Sequence, residues 1–81
     1  MPRQLHVIAS EIEADCKDKS FYPYAEPYVD AMKHLNWVAD SYGYDSGESV
    51  VIYALSNLTS WRGEKARTIK AELNAILKEA K

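Results

Sequence analysis

The stretch Asp45-Ser46-Gly47-Glu48-Ser49-Val50-Val51-Ile52-Tyr53-Ala54-Leu55 decides the fold. Its β-branched run fits either a buried strand or a helix covered on most sides, because short apolar runs do not separate the two by period alone. Asp45 and Glu48 stand at capping-box spacing, with Asp in place of the usual Ser or Thr. That spacing and the helical neighbours predict a helix over about 47–58, apolar nearly all round and therefore central.

Helical periodicity extends outward in both directions. Toward the amino end, Leu5, Ile8, Ala9, Ile12 and Cys16 form one stripe of a helix over about 4–17, with Val7 on the wrong side of it. Pro23 and Pro27 then interrupt the pattern. Lys17 to Glu26 form a loop carrying Phe21, Tyr22 and Tyr24, rings too large to leave in water. Pro27 suits the first turn of a helix over about 26–42. Its stripe is Tyr28, Met32, Leu35, Ala39 and Tyr42, with Ala31 and Val38 beside it and Gly43 as the stop. Toward the carboxyl end, Thr59-Ser60 offers a cap for a helix over about 60–80, buried through Ala66, Ile69, Leu73, Ile76, Leu77 and Ala80. The expected architecture is all-α: one domain, residues 1–81, a compact bundle of about four helices with an aromatic loop between the first two.

Composition narrows the function classes. Cys16 is the single cysteine, so no internal disulfide forms, which suits a reducing compartment. No run approaches the roughly 20 apolar residues of a membrane span, and Met1 to His6 lead into no signal-peptide core. The expected setting is the cytoplasm, away from membranes. A net charge of −2 hides a division: residues 1–48 sum to −5 and residues 49–81 to +3. Either the two halves complement each other, or the basic half faces an anionic partner.

Chemistry-bearing residues are sparse. His6 and His34 have no surrounding carboxylate pattern, and with Cys16 they lack the spacing of a zinc site. Neither a phosphate-binding glycine loop nor a nucleophile elbow is present. The expectation is a non-enzymatic protein with no cofactor and no metal. Val38 to Asp45 resembles the first helix and turn of a helix-turn-helix, but the helix that follows carries no Lys or Arg for base or phosphate contact.

Two surface features remain. Trp37 lies opposite the buried stripe among Asp30, Lys33, His34 and Ser41; either the Phe21–Tyr24 loop covers it or it meets a partner or a second subunit. Trp61 and Arg62 open the last helix, where they staple the corner or, with Trp37 and Lys33, contact a protein partner. An Arg62 inside that helix would fall on its apolar face and need a partner, for instance a C-terminal carbonyl or an acid such as Asp45 or Glu48. On the last helix Arg67, Lys70, Asn74, Lys78 and Lys81 share a face. That row is either solvated or a salt-sensitive contact for nucleic acid or an acidic protein.

Leu55-Ser56-Asn57, Trp61-Arg62-Gly63-Glu64, Ala66-Arg67 and Ile69-Lys70, together with Tyr24-Ala25-Glu26-Pro27-Tyr28 and Ala31-Met32, resemble small helical proteins of bacteriophages and related mobile elements. The resemblance covers most of residues 21–77. It implies a host-cytoplasm setting and an accessory role, and it carries over no catalytic or binding residue.

Overall fold

A computed structural model describes residues 3–43 and 45–79, with Tyr42 described in its backbone. The described residues form four helices and one short hairpin: α1 (Leu5–Cys16), α2 (Tyr22–Met32), β1 (Ser41–Tyr42), β2 (Asp45–Ser46), α3 (Gly47–Ser56) and α4 (Glu64–Glu79). The radius of gyration, 11.4 Å, matches the roughly 11.7 Å of a compact chain of this length. The architecture is an all-α bundle, with α2 packed closest to α3 and α1.

The α1 stripe is buried as the spacing predicts, at Leu5, Ile8, Ala9, Ile12 and Cys16. Val7 is exposed within a regular first turn. The first amides of a helix have no intrahelical acceptor. Here Leu5 N donates to the Asn36 carbonyl at 2.8 Å and His6 N to the Leu35 carbonyl at 3.0 Å. The 35–36 segment therefore caps α1.

The second helix differs at both ends from the expected 26–42. It begins at Tyr22, because Pro23 fits its first turn as well as Pro27 was expected to do one turn later. The aromatic segment is therefore largely helical: Tyr22 is buried, Phe21 packs on the core, and Tyr24 is 73% exposed. It ends at Met32, after which His34 and Leu35 make tight turns back to Ala31 and Met32. Asp40 Oδ2 then accepts the amides of Asn36, at 3.1 Å, and Trp37, at 3.0 Å. A short acid that bonds nearby amides offers the backbone an alternative to helix, and here that alternative prevails. Met32 and Leu35 stay buried, whereas Ala39 is exposed.

Residues 41–46 form an antiparallel pair, Ser41 opposite Ser46 and Tyr42 opposite Asp45, with Gly43 at φ 64° in the turn. A hairpin replaces the turn of a helix-turn-helix. It also takes Asp45 out of the capping role: Ser46 caps α3, its Oγ accepting from Ser49 N at 3.1 Å.

The deciding segment is a helix, and Val50, Val51 and Ala54 are buried. Its coverage is one-sided. Ile52 is 44% and Tyr53 52% exposed, and Tyr53 packs on half-buried Tyr28 with ring centroids 5.5 Å apart. α4 starts four residues later than Ser60, after Gly63 at φ 112°. It buries Ala66, Ile69, Leu73 and Ile76; Ala80 lies outside the described residues. No described helix is long and apolar enough to cross a membrane.

Candidate functional site

Trp37 sits on the loop between α2 and the hairpin, where its indole is 42% exposed. Residues 21–24 belong to the other end of α2, and the ring is open between two clefts. One, of about 180 Å³ and mainly apolar, is lined by Arg3, Leu5, Asn36, Trp37, Val38, Ile76 and Glu79. The other runs along Trp37, Val38, Ala39, Ser46 and Glu48.

The loop is held by backbone bonds on both sides. Asn36 and Leu35 carbonyls are tied to α1, and the Asp40 carboxylate gathers the Asn36 and Trp37 amides. Asp40 N donates back to the Trp37 carbonyl at 3.0 Å, while Gly47 N donates to the Asp40 carbonyl at 2.7 Å. Gly47 also permits the close approach of this loop to α3. A Cβ there would stand 2.8 Å from the Val38 carbonyl oxygen and 2.9 Å from that of Trp37. Arg3, at the cleft rim, grips Glu72 with Nε at 3.0 Å and Nη2 at 2.6 Å, and reaches Glu11 with Nη1. The Arg3 guanidinium holds the Glu11 carboxyl below the usual range.

The remaining expected contact residues separate. Lys33 is half-buried and ion-paired to Glu13 at 2.6 Å and Asp30 at 3.6 Å, tying α2 to α1; the Glu13 hydrogen bond raises its pKa. Trp61 is 1% exposed, so its ring presents no surface to a partner. Its Nε1 donates to Asp15 Oδ2 at 2.6 Å, and its carbonyl accepts from Lys70 Nζ at 2.7 Å. Trp61 is the staple of the α3–α4 corner, joining it to α1 as well. Arg62 is exposed, because α4 begins at Glu64 and leaves that side chain outside the apolar face.

Arg62 and Arg67 share with Trp61, Gly63, Ala66 and Lys70 a separate open groove of about 330 Å³. Lys78 is exposed further along α4, and Lys81 lies outside the described residues.

Two core groups are held in their neutral forms. Burial, with Asp15 adding to it, pushes the Cys16 thiol up to about 11, so little reactive thiolate exists at neutral pH. Burial likewise pushes Tyr22 up to about 12; its hydroxyl has no hydrogen-bond partner among the described residues. His6 Nε2 is bonded to the Gln4 amide oxygen at 2.7 Å. Among the described residues no three His, Cys, Asp or Glu side chains gather as a metal site would require.

Leu5, Val38 and Ile76, as walls of the Trp37 clefts, and Asp40 and Gly47, as supports of the loop, were not singled out by sequence reasoning. The cue that was present is the order Asp40, Gly43, Gly47: an amide-bonding acid, a turn glycine and a glycine at a helix start within eight residues. The chain matches no family model, and no curated protein or solved structure is significantly similar to it.

Proposed function

We propose that this protein is a non-enzymatic accessory module that binds another protein through Trp37, with a second copy of the chain as one partner that fits. The observation that carries this reading is the indole itself, part-exposed between two clefts on a backbone-pinned loop. A rigid, amphipathic ring flanked by concavities is the arrangement that dominates binding energy at protein contacts. The apolar cleft accepts an aliphatic or aromatic side chain of the partner against Trp37 and Val38, above buried Leu5 and Ile76. Arg3 and Glu79 supply a polar rim. The phage-like sequence resemblance supports an accessory role in a host cytoplasm.

Two variants test the reading. Trp37→Ala and Trp37→Glu remove the anchor from an exposed loop position, and both retain the native circular dichroism spectrum. Loss of a central anchor costs at least about 2 kcal/mol of association, so partner capture or self-association weakens at least about thirtyfold by titration or sedimentation. A Trp37→Glu protein that keeps the wild-type mass and the wild-type partners contradicts the proposal.

A further inference from the structure

We infer a second binding site, for the phosphate backbone of a double-stranded nucleic acid, in the groove at the α3–α4 corner and along the adjoining face of α4. Arg62, Arg67 and Lys70 all line that groove, and no carboxylate does. Arg62 and Arg67 are exposed, and neither has an ion-pair partner among the described residues. Lys70 is fixed in place by its 2.7 Å bond to the Trp61 carbonyl, with two further protons to donate.

Of the acids near this face, Asp15 accepts from the Trp61 indole, Glu72 is paired with Arg3, and Glu79 lines the Trp37 cleft, while exposed Glu64 opens α4 beside the groove without lining it. Arginine's planar fork matches two phosphate oxygens at once, which makes Arg62 and Arg67 the specific part of the site.

The shape of the basic row selects a polymer over a single anion. From Arg67 to Lys78 the helix rises about 16 Å, and Asn74 lies between them on the same face. That length spans several phosphates, spaced about 3.4 Å along the axis of each duplex strand. A lone phosphate would use the groove and leave Lys78 idle. No aromatic side chain is exposed on this row, since Trp61 is buried. Single strands are held largely by stacking on such rings, so a duplex backbone is the better match. This site stands apart from the Trp37 reading and does not depend on it.

Fluorescence anisotropy with a labelled 20-base-pair DNA duplex and the matching RNA duplex, from 20 to 150 mM KCl, tests the inference. Binding is expected at low salt in the micromolar range, falling with a log–log slope of about −3.6 for four phosphate contacts on DNA. The double variant Arg62→Glu/Arg67→Glu weakens binding at least about tenfold and removes about 2 from the slope. Arg62→Lys/Arg67→Lys keeps the salt slope, because both charges remain, but loses the part of the affinity that the forked contact supplies, and Trp37→Ala binds as the wild type does. Circular dichroism confirms that the variants, all at exposed positions, are folded. Absence of binding to both duplexes at 20 mM KCl overturns the inference. So does an unchanged slope in the charge-reversed variant, or equal binding of poly-glutamate, which would assign the row to an acidic protein surface.

Discussion

Gly47→Ala lowers stability by about 2 kcal/mol, against the direction that helix propensity alone would give. Gly47 opens α3, where alanine is the better helix former by up to about 1 kcal/mol. The new methyl, however, would stand 2.8 Å from the Val38 carbonyl oxygen, 2.9 Å from the Trp37 carbonyl oxygen and 2.9 Å from Val38 Cα. All three are backbone atoms, which cannot rotate aside as the end of a side chain can. The Trp37–Val38 segment must lift from α3, and the 2.7 Å bond from Gly47 N to the Asp40 carbonyl stretches with it. Overpacking of this kind costs about 1–3 kcal/mol. In a domain of this size each kcal/mol moves the melting temperature by roughly 4–8 °C, so thermal denaturation should show a fall of about 10 °C or more. Because the displaced segment carries Trp37, its fluorescence should shift as well. An alanine variant as stable as the wild type would mean that the loop does not rest on α3.

Trp61→Ala has the larger effect. It leaves a hole where α1, α3 and α4 meet and removes the indole bond to Asp15. Trp-to-Ala changes in cores cost about 3–5 kcal/mol, and a chain of 81 residues has only about 4–12 kcal/mol in all. Urea denaturation should find this variant unfolded or barely folded at 25 °C. Trp61→Phe keeps most of the packing and leaves the exposed Asp15 to water, so it should remain cooperative with an intermediate loss. A Trp61→Ala protein within 1 kcal/mol of wild type would contradict the buried position of the ring.

These two residues also mark where sequence reading succeeds and fails. The stripes of α1 and α4 are legible because each is a long run with one period and buries what the period selects: Leu5 to Cys16, and Ala66 to Ile76. α3 is legible as a helix, but not in its sidedness, since Ile52 and Tyr53 are apolar and yet part-exposed. The segment from Met32 to Ser46 is misread because Leu35, Ala39 and Tyr42 continue the helical spacing by coincidence. What ends the helix is local chemistry: Asp40 takes two amides, and a hairpin follows. Trp37 is recognisable as an exposed ring, but its place on a pinned loop between two clefts depends on contacts with α1 and α3 that no local pattern carries. Trp61 shows the reverse case. A tryptophan at a helix corner next to an arginine suits either a staple or a contact, and burial alone separates the two.

Site-specific photo-cross-linking compares the exposed apolar faces directly. A benzophenone amino acid is placed in turn at Ala39, which is exposed beside Trp37 in one of its clefts, and at Tyr24 and Ile52, and each labelled chain is irradiated with its partner or at concentrations where copies associate. Position 39 should give the dominant intermolecular product, in proportion to complex formed, with positions 24 and 52 near background. Products from 24 or 52 with none from 39 would place the contact on the α2–α3 face and remove the Trp37 clefts from the binding surface.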